Sequence, residues 1–414
     1  IPALLGFAGP KVLTRKVRKG RARDTDKPNM GTRWARLVVR RRIPFLLAGV
    51  VALGLAALPM TGMQLGLPDD GSQPVSTTQR KAYDMLSDGF GPGFNGPLMV
   101  VVDAAHSDQP HQAAERIKQT ITGFPDVKTV TTPAFNTKGD TATLTVVPAS
   151  KPSSAQTENL VHTIRGHANE FSESTGADVL VTGTTAMNID VSQRLNDALV
   201  PYLALVVGLA FLLLMIVFRS VLVPLKAALG FLLSVLAALG AVVAVFQWGW
   251  LAGLIGVEQT GPIMSMMPIF MIGVVFGLAM DYEVFLVTRM REAYVHGESP
   301  RQAVVTGFTH GARVVSAAAV IMISVFAGFI GSSESMIKMM GFGLAIAVAF
   351  DAFIVRMTIV PAVLALLGRA AWWLPGWLQR ALPNVDVEGE QLRKNLETAP
   401  AVRADSDEHE VVGV

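Results

Sequence analysis

The sequence contains no cysteine, and only 16% of its 414 residues are charged. The first absence excludes a disulfide framework, a thiol nucleophile and a thiolate metal site. The second sets the chain apart from soluble domains, in which about a quarter of residues are charged. The seven histidines show no HxxxH-type spacing, so no metal site is expected. No Walker pattern occurs, which argues against ATP as a power source. The glycine-rich Gly91–Gly96 lacks a following Lys-Ser/Thr and precedes a strand, so it is not a phosphate loop. There is no GxSxG, and Ser, His and Asp are scattered, so the chain is not expected to be an enzyme.

What is abundant is apolar sequence, with 51% of residues hydrophobic. Six stretches are long enough to span a bilayer: Pro44–Met60, Val200–Phe218, Val221–Gln247, Pro262–Met290, Ala312–Ile330 and Met339–Leu367. Charge is unevenly spread. Residues 1–43 hold thirteen Lys/Arg against Asp24 and Asp26, whereas residues 61–198 hold nine Lys/Arg against fifteen Asp/Glu. By the positive-inside rule the basic flank is cytoplasmic, and Arg219, Lys226, Arg289, Arg291, Arg301, Arg313 and Arg369 fall at ends expected to be cytoplasmic as well. Both termini are then cytoplasmic. The basic flank is read as membrane-facing and able to touch anionic lipid headgroups; no nucleic-acid partner is expected.

In chain order, residues 1–43 read as the end of a preceding apolar helix (Ile1–Gly9) plus a basic linker, broken by Gly20, Asp24 and Pro28. The first span follows over 44–60. Residues 61–199 have soluble composition and a βαββαβ order: strands at 97–102, 127–131, 141–147 and 178–182, helices at 109–124 and 154–171. That order predicts an α+β ferredoxin-like domain outside the membrane. Ala186–Ala198 is expected to continue as a helix into the second span. A five-helix bundle occupies 200–368, with Glu292–His310 as a short amphipathic helix at the inner surface, and 369–414 form a polar cytoplasmic tail. The fold class is therefore an α-helical membrane protein carrying an extracytoplasmic α+β domain.

The chemistry concentrates in Pro262–Arg291. A carboxylate within hydrocarbon is costly, so Asp281 marks a functional site by default. Gly273, Gly277 and Asp281 recur every four residues on one helix face, and Gly273-Val-Val-Phe-Gly277 is a small-xxx-small pattern, so Asp281 is expected to point into a tight helix contact. Arg289 lies roughly 12 Å further along, too far for simple snorkelling. Asp351 and Arg356 share the last span, five residues apart and about 140° around an α-helix, so each is expected to meet a neighbouring helix. Burial favours a protonated carboxylate and a nearby Arg an ionised one, so Asp281, Tyr282, Asp351 and Arg356 are material for a proton relay; an interhelical ion pair that sets register is the plainer reading. Glu283, two residues from Asp281, falls on a different face and reads as a helix-face residue near the interface. Met264, Met266, Met267 and Met271 read as apolar packing.

At GLAMDYEVFLVTRMREAYVHGESPRQAVVTGF (Gly277–Phe308) the sequence resembles the MMPL family of the resistance–nodulation–division superfamily. The likeness continues through ARVVSAAAVIMISVF (Ala312–Phe326) and AIAVAFDAFIVRMTIVPAVLALLG (Ala345–Gly368), and the order span, outer domain, five spans agrees. Family members carry two such halves, so the resemblance implies the second half of a twelve-helix protein, with Ile1–Gly9 ending the sixth helix. It implies proton-motive-force-driven export of lipids or other hydrophobic molecules, with a proton gradient in place of a cofactor. Asp281 and Tyr282 match the relay pair of the tenth helix, which in the family faces an equivalent pair on the fourth. Asp351 and Arg356 match the acidic and basic positions of the twelfth. The partners implied are a lipid or hydrophobic substrate, membrane lipids, and a half with six more helices or a second copy. The alternative is a non-transporting scaffold or sensor with a ligand-binding outer domain.

Overall fold

The computed structural model describes residues 30–381, so the expectations for Ile1–Gly9, for the breakers Gly20, Asp24 and Pro28, and for the end of the tail lie outside the described residues. Helix α1 (Met30–Arg40) is amphipathic: Thr32, Ala35 and Val38 are buried at three-residue spacing, while Arg33, Arg36 and Arg40 are exposed. The stretch expected to be a broken linker is thus helical over Met30–Arg40. Helix α2 (Arg42–Ala57) extends by a 3₁₀ turn to Gly62, and the 21 residues Arg42–Gly62 are long and apolar enough to span.

Beyond helix α3 (Thr78–Phe90) lies the sheet domain. Strands β2 (Leu98–Asp103), β3 (Val127–Val130), β4 (Ala134–Phe135), β5 (Thr141–Pro148) and β6 (Asp178–Thr182) form an antiparallel sheet ordered β3-β5-β2-β6, with β4 also paired to β5. Alternation places Leu98, Val100 and Val102 inward. They meet Ala114, Ile117 and Ile121 of α4 (Pro110–Thr122), and Leu160, Val161 and Ile164 of α5 (Ala155–Gly166). A break at His167 separates α5 from α6 (Ala168–Thr175), where one helix was expected. The opposite sheet face is uncovered, with Met99 and Leu180 exposed.

Helix α7 (Thr184–Phe218) leaves the sheet and runs unbroken through its span, as expected of Ala186–Ala198. Helix α8 (Leu222–Val242) ends in a π-helical turn at Val243–Gln247. The fourth span starts later than its composition indicates, because Ile263–Met264 forms strand β7, paired in parallel with β1 (Leu65–Gly66). Helix α9 (Met267–Val295) and helix α10 (Pro300–Gly328) follow. The expected surface helix within Glu292–His310 is instead the first part of α10, continuous with the fifth span. Its apolar side chains Val304, Val305 and Phe308 are buried in the bundle core with Ala35 of α1 and Met290 of α9, so they have no need of the membrane interface. At Gly307 a Cβ would sit 2.7 Å from the Met290 backbone nitrogen, which sets the close approach of α9 and α10. The last span is a single rod: α11 (Ser335–Ala349), a π-helical segment Phe350–Ile359, and α12 (Val360–Leu367). Ser335–Lys338, which precede the expected start of the last span at Met339, belong to α11. Six helices among the described residues can cross a membrane, and the chain is a multi-pass, mostly helical membrane protein.

Candidate functional site

Four ionisable side chains meet inside the bundle. Arg356, on the π-helical segment, donates from Nε to Asp351 Oδ2 at 2.6 Å and from Nη1 to Glu283 Oε2 at 3.1 Å. Its Nη2 donates to the Ala279 carbonyl, with Asp351 Oδ1 at 3.4 Å. Lys226 of α8 donates to Glu283 Oε1. Glu283, Asp351 and Arg356 are 2%, 4% and 3% exposed, and the Lys226 side chain is 7% exposed. The order Lys226, Glu283, Arg356, Asp351 alternates in sign and sums to zero when all are ionised. Every carboxylate oxygen has a cationic donor, the condition under which charges tolerate burial. The Tyr282 ring lies 5.8 Å from the guanidinium carbon of Arg356, within reach of a cation–π contact.

The direct Asp351–Arg356 bond departs from the α-helical expectation, and the π-helix is the reason. Its i→i+5 bonding, seen where Val360 N donates to Val355 O, brings residues five apart onto one face. Arg356 also meets the neighbouring helix through Glu283, as expected. The segment ends just before Pro361, which has no N–H to offer the Met357 carbonyl four residues back. That carbonyl instead accepts from Trp34 Nε1 of α1 at 2.8 Å. Arg42 Nη1 ties the next turn to the same corner by donating to the Ala365 carbonyl at 3.0 Å.

Asp281 stands elsewhere. Val275, Ala279, Glu283, Leu286 and Met290 form the buried stripe of α9, while Phe270, Val274, Gly277, Asp281 and Phe285 form an exposed one. The expectation that Asp281 is enclosed in a tight contact does not hold within this chain. Gly273 does take a close neighbour, the Tyr202 hydroxyl of α7, which would lie 2.9 Å from a Cβ there; around Gly277 no described residue comes within 4 Å. The structure therefore brings together Tyr282, Asp351 and Arg356, and leaves Asp281 and Gly277 on an open face.

Glu283 and Lys226 are the members that the sequence reading undervalued. Glu283 continues the four-residue spacing of Val275 and Ala279, which was the available signal. Lys226, read as an end-of-span cation, lies among the buried Val223, Ala227 and Gly230 of α8 and so turns inward rather than to the surface.

A second concave feature lies where the sheet domain meets the bundle. This cleft of about 480 Å³ is lined by Asp69, Arg80, Tyr83, Glu334, Met336 and Met339, among others. Burial raises the proton affinity of the Asp69 carboxyl, whose Oδ2 has no hydrogen-bond partner among the described residues. Burial and neighbouring Asp69 push the Tyr83 hydroxyl up to about 12. Arg80, 6% exposed, donates to Asp84 Oδ1 at 2.8 Å and to the Gly71 carbonyl at 2.7 Å. The cleft thus combines apolar methionines with buried polar groups.

The sequence profile of the MMPL family matches residues 79–386. Membrane protein YdfJ of Bacillus subtilis (strain 168) is 45% identical over 399 residues, 96% of this chain and 54% of that protein. The mycolic acid-containing lipids exporter MmpL11 of Mycolicibacterium smegmatis (strain ATCC 700084 / mc(2)155) is 33% identical over 94% of this chain and 41% of its own length. The trehalose monomycolate exporter MmpL3 of the same organism is 30% identical over 96% and 40%. The chain spans about half the length of these curated relatives, or somewhat less.

Proposed function

This chain belongs to the MMPL family, and from that premise we propose that it is the proton-coupling half of an exporter of lipids or other hydrophobic molecules. The observation that carries the reading is the buried Lys226–Glu283–Arg356–Asp351 set, mounted on a π-helical segment within a span. Intramembrane charges are costly, and they recur on proton pathways. π-Helical turns are frequent at functional sites. The lipid cargo draws on the relatives named as exporters of mycolic acid-containing lipids and of trehalose monomycolate.

Asp351 is the carboxylate best placed to take up a proton. Among the described residues it answers to Arg356 alone, whereas Glu283 holds two cations with separate oxygens. A proton on Asp351 releases the intrahelical bond and leaves Arg356 on Glu283. The set then carries a net positive charge, which an apolar surrounding disfavours, and the helices are driven toward another arrangement. Asp281 and Tyr282 complete the relay: Tyr282 borders Arg356, and Asp281 sits on the open face where the family resemblance places a second half.

In this reading residues 61–199 form the ferredoxin-like porter domain outside the membrane, a reading supported by their antiparallel strand order. The α1 end of the bundle faces the cytoplasm. Helix α7 acts as the lever between porter and membrane domains, and cargo passes along the cleft near Tyr83 and Met339. The test is Asp281→Asn in the full protein. Export of labelled lipid under an imposed proton gradient should fall to background while membrane insertion is retained; undiminished export in a correctly inserted variant contradicts the role.

A further inference from the structure

At the opposite end of the bundle from the sheet domain, a groove of about 570 Å³ opens between the α1–α2 corner and the start of α10. It is lined by five arginines, Arg36, Arg40, Arg41, Arg42 and Arg301, and among the described residues no carboxylate lines it. Among the described residues none of the five takes part in an ion pair; Arg42 alone has a recorded acceptor, the Ala365 carbonyl. Five like charges converging from two separate elements repel one another, and an anion among them turns that repulsion into attraction. Ser299 caps α10 from the same groove, accepting from Gln302 N at 3.4 Å, so the positive end of a 29-residue helix adds to the field. Glu298, the nearest acid in sequence, lines a different groove.

We propose that this groove binds the headgroup of an anionic phospholipid. The chemistry of the wall below it decides between a lipid and a free phosphate. Ile43 and Pro44 line the groove and are exposed, and Leu47, 58% exposed, continues the same side of α2 down the span. A ligand with a phosphate diester and acyl chains satisfies both parts, the guanidiniums through bidentate hydrogen bonds and the apolar strip through burial. Each basic side chain near an anionic membrane surface adds favourably to binding, and a clustered set adjoining a span is the usual form of such a site. The bound lipid bridges α1 and α10. Because α1 also holds the π-helical segment through Trp34, the lipid steadies the frame on which Arg356 is mounted. The inference rests on the membrane embedding of the six helices and not on the proposed transport.

The test reconstitutes the full protein into vesicles containing equal parts of phosphatidylglycerol and phosphatidylcholine, extracts it mildly, and weighs the retained lipids by native mass spectrometry. Phosphatidylglycerol should be retained over phosphatidylcholine by at least about tenfold. Excess inorganic phosphate should leave it in place. The combined variant Arg40→Gln, Arg41→Gln, Arg301→Gln should lose the preference, and lysine at the same three positions should keep most of it. Equal retention of the two lipids by the unaltered protein would overturn the proposal without reference to any variant. So would a glutamine variant that keeps the preference, or displacement of the lipid by phosphate.

Discussion

Glu283 accepts from Lys226 with one oxygen and from Arg356 with the other, while both Asp351 oxygens turn to Arg356. Neutralising the two carboxylates therefore has unequal consequences. Glu283→Gln strands Lys226 without a counter-ion and leaves Arg356 with one, the situation in which a broken buried pair costs about 3–5 kcal/mol. Asp351→Asn leaves each cation still facing Glu283 and should cost markedly less. Thermal unfolding in detergent should thus show a large drop in midpoint for Glu283→Gln and a small one for Asp351→Asn; equal drops would mean that the bonds are not shared as described. The sequence makes Asp281, Asp351 and Arg356 visible as charges in apolar runs. It does not show which face of α9 is buried. Asp281 and Glu283 are two residues apart, and only the packing of α8 and the last span against the Val275–Ala279 side makes Glu283 the inward one.

Helix positions are legible at the scale of the element because mean hydropathy over about twenty residues has few alternatives. Helix geometry is not. The spacing of Asp351 and Arg356 makes a poor α-helical pair, and the π-helical turn joins them. Pro361 was the available cue, since a missing N–H perturbs the helix before it. The freed Met357 carbonyl is taken by Trp34, so a helix expected to be linker pins the π-helical segment. Trp34→Phe keeps an aromatic ring beside Phe45, whose centroid lies 5.5 Å from that of Trp34, but deletes the donor. Leaving a part-buried carbonyl unpaired should cost about 1–3 kcal/mol. It should appear as a lower unfolding midpoint and as faster hydrogen exchange at Arg356–Val360; an unchanged midpoint and unchanged exchange would show that the bond does not hold the segment.

Among the described residues three larger cores form, and the sheet domain is joined to the bundle at few places. One core lies between the sheet and its helices, and the other two lie within the bundle. Helix α7, about 50 Å long at 1.5 Å per residue, enters both regions. The β1–β7 pairing ties the chain leaving α2 to the chain entering α9. Helix α9 carries Glu283 inward and Asp281 outward, so both carboxylates ride on the helix whose start adjoins β7. The number of spans and the alternation of strands and helices between 98 and 182 were legible in the sequence. The links between the regions were not, because two-residue strands leave no periodicity to read.

The central claim is that proton exchange within the buried charged set drives lipid movement, and one comparison tests it most directly. Lipid efflux is followed in vesicles at several imposed proton gradients, for the full protein and for its Asp351→Asn variant. Efflux should rise with the gradient in the unaltered protein and stay at a flat, leak-level rate in the folded variant. Gradient-dependent efflux that survives Asp351→Asn would contradict it.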